Sequence, residues 1–218
     1  KQAVVKIDPD IPLDIASLIG CGVMTGAGAA LNTAKVTPGS SVIVYGAGGV
    51  GIAAIQGARI AGAAEIVAVD LNDEKLNDAR RFGATHAVKP EDVDAAKLEI
   101  TGGDGFDFAL ECIGRPLTMR ASYDAIRRGG TACIVGVGRA EEMVEFSAFE
   151  LFFMEKTLVG SYYGGTDVRS DFHKLLRLYK QGQLDLEGMI TRRIKIDEIN
   201  PALEAVRNGE VIRQVIEF

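Results

Sequence analysis

A glycine-rich segment followed at a set distance by a carboxylate is the part of this chain best suited to binding a phosphorylated ligand. The segment reads GAGGVG at residues 46–51 and follows the apolar run 42–45. Gly46 opens the turn, Gly48 lacks the Cβ that would keep a pyrophosphate from the backbone, and Gly51 allows close helix–strand packing. The helix that begins here points its free N–H groups at the same place.

The carboxylate is Asp70, which ends a second apolar run at 66–69 and lies 70 − 51 = 19 residues beyond the last glycine. At that spacing a carboxylate can accept hydrogen bonds from both hydroxyls of an adenosine ribose. It would repel a 2′-phosphate, and Leu71 and Asn72 provide no arginine to neutralise one. Strand, glycine turn, helix, strand and Asp together predict a dinucleotide-binding βαβ unit that prefers NAD to NADP, whereas the glycines alone could form a plain tight turn.

Strand and helix patterns continue to alternate after this unit. Short connections between them predict an α/β fold, a doubly wound parallel sheet of the Rossmann type. A break near Gly164 marks a predicted domain boundary. The predicted strands are 4–7, 86–88, 106–112, 131–137, 156–163, 192–196 and a terminal strand, and the predicted helices are 73–82, 91–100, 116–126, 168–180 and 197–208.

Two further segments follow predicted strands, at the sheet edge where such folds bind ligands. They are ECIGR at 111–115 and VGVG at 135–138. Their glycines would let a ligand approach the backbone. The two loops are therefore candidates for contact with the same dinucleotide.

Composition narrows the class of protein. The net charge is −6 with intermixed signs, which offers no basic face for nucleic acid. Glycines and charges interrupt the apolar runs, so no membrane span is predicted. Three scattered cysteines are too few for a disulfide framework, which favours a reducing, cytoplasmic setting. Because the first residue is Lys1 and a strand is predicted at once, we expect a piece of a longer polypeptide.

Several motifs in one order resemble the zinc-dependent medium-chain alcohol dehydrogenases, close to the class III, S-(hydroxymethyl)glutathione dehydrogenase branch. They are LIGCGVMTGAGAALNTAKVTPGSSVIVYGAGGVG, VAVDLNDEKL, ECIGR and NGEVIRQVIEF, and they cover nearly the whole chain. The resemblance implies an NAD-binding Rossmann domain at 22–163. It also implies that 1–21 and 164–218 are remnants of a GroES-like catalytic domain whose N-terminal part is absent.

The resemblance implies a role for two residues of the GCGVMTG motif. Cys21 matches a ligand of the catalytic zinc, whose other ligands would lie outside this chain, although from the residues alone it reads as a buried structural cysteine. Thr25, in the same predicted loop, matches the residue that packs against the nicotinamide ring. The implied reaction is hydride transfer between a primary alcohol or aldehyde and NAD, and the fragment alone is expected to bind NAD without turnover.

The remaining implied coenzyme contacts follow the motifs. Lys75 and Arg115 read equally well as surface charges, and Arg213 reads as solvent-facing from its alternating strand. Ile113, Val135 and Tyr163 could be core residues only. The implied set is Gly46, Gly48, Gly49, Val50, Gly51 and Asp70 with Lys75 at the phosphates and ribose, Ile113 and Arg115 at the adenine and phosphate side, Val135 and Tyr163 at the carboxamide, Arg213 at the pyrophosphate, and Val137 as a further coenzyme contact.

Two alternatives stay open. One is a zinc-free quinone or enoyl reductase of the same superfamily, against which Cys21 and Asp70 argue. The other is a non-enzymatic module that senses NAD(H). The alcohol or aldehyde and any use of glutathione adducts are not assigned.

The segment 150–162 is apolar and β-prone. An exposed edge strand of this kind favours pairing across a two-fold axis. We therefore expect a homodimer or homotetramer that associates through it, although a buried strand within one chain would show the same pattern.

Overall fold

The computed structural model describes residues 4–218 and contains a six-stranded sheet in which every neighbouring pair is parallel. The strand order is β3-β2-β1-β4-β5-β6, and a separate two-stranded parallel sheet joins β7 to β8. The strands are β1 Ser41–Tyr45, β2 Glu65–Val69, β3 His86–Val88, β4 Phe106–Glu111, β5 Ile126–Ile134, β6 Thr157–Gly160, β7 Ile190–Ile194 and β8 Arg213–Ile216.

Helices connect the strands and cover both faces of the large sheet. The α-helices after β1 are Gly49–Ile60, Asp73–Arg81, Val93–Thr101, Pro116–Ala125, Ala148–Phe153, Val168–Lys180 and Ile199–Arg207, and the short 3₁₀ turns are Pro90–Asp92, Tyr163–Gly165, Glu187–Met189 and Ile196–Glu198.

The core lies on both sides of the sheet because alternate residues of each strand point to opposite faces. Val42 and Val44 of β1 belong to one buried cluster, and Ile43 and Tyr45 belong to the other. A strand that is buried on both faces needs continuous apolar sequence, which is the pattern at 42–45. The predicted doubly wound parallel sheet is confirmed.

One continuous helix, Leu13–Thr33, precedes the sheet and contains two π-helical turns, Ile19–Val23 and Ala29–Thr33. It packs closely on helix Gly49–Ile60, since a Cβ added at Gly26 would lie 2.1 Å from the Val50 carbonyl oxygen. The helix has 21 residues and contains an 18-residue stretch with a mean hydropathy of 1.4, so it is long and apolar enough to cross a membrane, and the expectation that glycines and charges interrupt every such run was wrong. In this structure 67% of that stretch is buried, and we interpret it as a core helix.

Some element predictions differ from the structure. Residues 4–7 form no strand, because β-propensity without a partner strand does not make one. Strand β5 begins at Ile126 and ends at Ile134, earlier than predicted, since the Arg and Gly residues inside it mask the pattern. The segment 150–162 is helical up to Phe153, and only Thr157–Gly160 pairs with the sheet. The division into domains stays a prediction, and helix Leu13–Thr33 runs across its first limit.

Candidate functional site

A cleft of about 950 Å³ opens beside the carboxyl ends of β1, β2 and β4. This is the edge at which open parallel sheets bind ligands. Its lining includes six residues predicted to contact the coenzyme, which are Gly46, Gly48, Asp70, Lys75, Ile113 and Arg115.

The glycine turn is shaped by close contacts at two of its glycines, Gly46 and Gly51. Gly46 has φ +91°, a conformation that L side chains rarely adopt, and a Cβ there would lie 2.7 Å from the Ile113 side chain. A Cβ at Gly51 would lie 1.7 Å from the Gly46 carbonyl oxygen, so the helix can approach the strand only with glycine there. By contrast, no atom lies within 4 Å of the Cβ position at Gly48, which leaves open space above the start of helix Gly49–Ile60. That space is where the helix N-terminus would meet a phosphate.

Asp70 joins the glycine turn to the next loop. Its Oδ2 accepts a hydrogen bond from the Ala47 N–H at 2.8 Å, and its Oδ1 accepts one from the Asn72 N–H at 3.0 Å. Each carboxylate oxygen has a further lone pair, so both can still accept from ribose hydroxyls. The Asn72 side chain is occupied as the N-cap of helix Asp73–Arg81. Lys75 lies on the first turn of that helix and lines the same cleft.

Arg213, at the start of β8, lies outside the cleft but beside the glycine turn. A Cβ at Gly49 would lie 2.4 Å from the Arg213 guanidinium carbon, and one at Gly22 would lie 1.9 Å from its Nη2. Burial lowers the pKa of Arg213, and nearby Cys21 offsets part of this effect. Within residues 4–218 its guanidinium has no carboxylate partner. The expectation of a solvent-facing arginine was wrong, because Arg213 is partly buried and its guanidinium lies against Gly22 and Gly49.

Cys21 and Thr25 lie one turn apart on helix Leu13–Thr33, and the expectation that they share a loop was wrong. Cys21 is exposed, so its interpretation as a buried structural cysteine was also wrong. The Tyr163 hydroxyl donates a hydrogen bond to the Gly20 carbonyl, and burial together with nearby Cys21 raises the pKa of Tyr163. Cys21 therefore lies near both Tyr163 and Arg213, and Arg213 also lies beside the glycine turn at Gly49.

The residues present cannot hold a zinc ion by themselves. Among residues 4–218 no group of three His, Cys, Asp or Glu side chains is close enough together to bind a metal. A catalytic zinc ion normally takes three protein ligands, and Cys21 is a single thiol. A zinc ion at Cys21 would need ligands from elsewhere.

The loops at 111–115 and 135–138 lie against each other at the same sheet edge. Val135 is buried and Val137 is almost fully exposed, and neither lines the cleft. The sequence analysis gave Glu111 and Cys112 no role beyond their place in the loop 111–115, and it gave Tyr45 and Thr118 none. Tyr45, Cys112 and Thr118 line the cleft. The signal for Glu111 was an acidic residue at the end of an otherwise apolar strand.

Comparisons with known proteins agree with this geometry. A family model described as zinc-binding dehydrogenase matches residues 49–181. The chain belongs to this family. The resemblance found in the sequence is thereby confirmed.

Two relatives and one solved structure show how far the similarity extends. The chain is 42% identical to S-(hydroxymethyl)glutathione dehydrogenase of Saccharomyces cerevisiae and 40% identical to alcohol dehydrogenase 1 of Petunia hybrida, over 98% of the chain in both cases. Benzyl alcohol dehydrogenase of Acinetobacter calcoaceticus superposes with a TM-score of 0.93 at 35% identity, covering 98% of this chain and 59% of that one. The chain spans 57% of the length of both relatives.

Proposed function

We propose that this chain is the coenzyme-binding part of an NAD-dependent zinc alcohol dehydrogenase, which transfers a hydride between a primary alcohol or aldehyde and NAD. The observation that carries the proposal is Asp70, whose carboxylate is hydrogen-bonded to the glycine turn at Ala47 and faces the cleft at the end of β2. Bound NAD would supply the hydride acceptor. The chain would bind and orient it.

The adenosine half is assigned to the cleft. Asp70 would accept hydrogen bonds from the ribose hydroxyls, with Lys75 beside it, and Ile113 and Arg115 would contact the adenine side. The carboxylate favours NAD because a 2′-phosphate would meet its negative charge. Adenine would find apolar surface in a cleft whose walls include Val69, Pro90 and Val93 in addition to these residues.

The pyrophosphate is assigned to the open space above Gly48. The N–H groups of Gly49, Val50 and Gly51 begin the helix there, and the Arg213 guanidinium lies beside Gly49. A guanidinium matches the geometry of phosphate oxygens, and the helix dipole favours the same charge. Binding would give the partly buried Arg213 cation the anionic partner that residues 4–218 do not provide.

The nicotinamide half is assigned to the side of the glycine turn that carries Thr25 and Tyr163. Thr25 would pack against the ring, while Val135, Val137 and Tyr163 would present backbone groups to the carboxamide. Cys21 would contribute one ligand to a zinc ion, with the others outside this chain. Its exposure supports a shared site, because a thiol at the surface is available to another segment.

The decisive test uses the whole natural polypeptide that contains this chain. NADH formation is followed spectrophotometrically with short, long and aromatic primary alcohols, before and after removal of zinc by a chelator. We expect activity that chelation abolishes and added zinc restores. Activity that resists chelation would point to the zinc-free reductase, and NADH binding without turnover in the zinc-loaded protein would point to the sensing module.

The isolated 218-residue chain provides a second test. We expect it to bind NADH without oxidising alcohols, because it contributes one zinc ligand. Alcohol-dependent NADH formation by the purified fragment would contradict the proposal that catalysis needs zinc ligands from outside this chain.

We also propose that the protein forms a homodimer or homotetramer through the edge at β6. Helix Ala148–Phe153 has no buried residue, and Phe149 and Phe152 are 67% and 79% exposed beside that edge. Light scattering should show a mass of two or four chains, reduced by Phe152→Asp and unchanged by Leu13→Asp, an equally exposed leucine elsewhere. A monomer at high concentration would refute this.

The free cysteines support a cytoplasmic location, which cell fractionation would test.

A further inference from the structure

Glu111 is a buried carboxylate at the carboxyl end of β4, next to the proposed coenzyme site. Its side chain has no solvent exposure. The Oε1 atom accepts three hydrogen bonds, from the N–H of Ile113 at 3.0 Å, the N–H of Gly114 at 2.8 Å and the hydroxyl of Thr118 at 2.7 Å. One oxygen thus fixes the loop 111–115 and the first turns of the helix that follows.

The backbone of the same residue holds the second loop. Its carbonyl oxygen accepts hydrogen bonds from the N–H groups of Val135 at 2.8 Å and Gly136 at 2.9 Å. The loops 111–115 and 135–138 therefore share a single anchor. Both of them carry residues assigned to the coenzyme.

Two glycines let the loops touch backbone to backbone at this anchor. A Cβ at Gly114 would lie 2.5 Å from the Val137 carbonyl oxygen, and a Cβ at Gly136 would lie 2.1 Å from the Gly114 nitrogen. The Cβ at Gly136 would also lie 2.7 Å from the Oε2 atom of Glu111. The carboxylate is enclosed by the two loops that it holds.

A carboxylate is a costly way to fill this space. Burial of a carboxyl group is unfavourable, and Oε2 has no hydrogen-bond partner within residues 4–218. A leucine would fill a similar volume without that cost, but it would leave the partly buried N–H of Ile113 and the buried N–H of Gly114 without this acceptor. The hydrogen bonds accepted by Oε1 explain why this position is a glutamate, and space-filling does not.

We propose that Glu111 is a positioning residue, which holds the loops 111–115 and 135–138 in the conformation that binds the dinucleotide before the coenzyme arrives. It touches no ligand itself. A loop that is ordered in advance loses less conformational entropy on binding, which strengthens affinity. The proposal rests on the proposed coenzyme function.

The test compares four variants of the whole natural polypeptide. Glu111→Leu removes the acceptor, Glu111→Gln keeps an amide oxygen in place of Oε1, and Thr118→Val removes one donor. Asp107→Asn is the matched control, because Asp107 is a half-buried carboxylate at the opposite end of β4 that binds Ser41 and Arg127. Calorimetry gives the Kd for NADH, and mass spectrometry gives amide hydrogen exchange of both loops without coenzyme.

We expect Glu111→Leu to weaken NADH binding at least about tenfold, because binding must then order several loop residues. Exchange should become faster in both loops. Glu111→Gln should restore the affinity to within about threefold of wild type, since the amide oxygen still accepts from Ile113 and Gly114. Asp107→Asn should lower the Tm and leave the Kd within about twofold.

Four results separate the possible failures. A Leu variant with wild-type affinity and wild-type loop exchange would overturn the role of Glu111. An equal loss of affinity in Asp107→Asn would also overturn it, since general destabilisation would then suffice. If the Leu variant does not fold, Thr118→Val decides, because unchanged exchange at 111–115 and unchanged affinity would overturn the proposal. A wild-type protein that does not bind NADH would instead refute the proposed function.

Discussion

Replacement of Arg213 by Met should weaken coenzyme binding while leaving the free protein at least as stable. In the structure the guanidinium lies against Gly22 and Gly49, and burial lowers its pKa because the charged form loses water. Residues 4–218 give it no carboxylate partner. An apolar side chain of similar length removes an uncompensated charge, which is neutral or favourable for folding.

The expected loss of affinity follows from the bond that Arg213 would make to the pyrophosphate. A hydrogen bond to a charged group contributes about 1.5–3 kcal/mol, so the Kd for NADH should rise by about 10- to 150-fold. Adenosine, which has no phosphate, should bind the variant and the wild type equally. This difference between the two ligands separates loss of a phosphate contact from damage to the adenosine cleft.

Calorimetry measures the Kd for NADH and the Kd for adenosine, and thermal unfolding measures the stability of the coenzyme-free protein. Arg192→Met is the control, because Arg192 is an exposed arginine of the neighbouring strand with a long 3.9 Å contact to Glu210. An exposed pair of this kind contributes about 0–1 kcal/mol, so its loss should change little. A variant Arg213→Met that loses stability and keeps its NADH affinity would refute the reasoning, since the arginine would then be a structural residue.

Three further predictions concern the coenzyme cleft and the sheet beside it. In calorimetric titrations Asp70→Ser should weaken NADH binding about 10- to 100-fold and shift the preference toward NADPH. The reason is that the carboxylate both accepts hydrogen bonds from the ribose and repels a 2′-phosphate. An equal loss of affinity for both coenzymes would contradict this prediction. Burial raises the pKa of Asp107, but hydrogen bonds from Ser41 and a neighbouring arginine outweigh it and hold the pKa below its ordinary value. Its contribution to stability is therefore full above the unfolded-state pKa of about 4 and is lost as the pH falls through the folded-state pKa. Wild type and Asp107→Asn should therefore differ in Tm at pH 7 and have similar Tm values in acid. A Tm difference that does not depend on pH would exclude ionisation of Asp107 as its cause. Gly51→Ala should lower the urea midpoint of unfolding, because its Cβ would lie 1.7 Å from a carbonyl oxygen. Gly48→Ala, whose Cβ would have no atom within 4 Å, should leave the midpoint nearly unchanged and weaken NADH binding. Equal midpoints for the two variants would contradict the packing argument.

Local patterns predicted the elements that carry strong periodicity. The runs at 42–45 and 66–69 became β1 and β2, and helix Val168–Lys180 has the bounds that were predicted from its pattern. These segments are readable because burial on both faces, or on one helix face, demands a regular apolar pattern. The strand predicted at 4–7 failed because a strand exists only where another strand pairs with it.

The sequence by itself determined the βαβ unit, the position of Asp70 beyond the glycine turn and the family, because each depends on residue types at fixed local spacing. Only the tertiary structure decided that Arg213 lies beside Gly49, that Cys21 is exposed on a helix and that Glu111 anchors two loops. Those relations join residues that are far apart in the chain or hidden in an apolar run. These relations arise from long-range packing, which no local sequence pattern predicts.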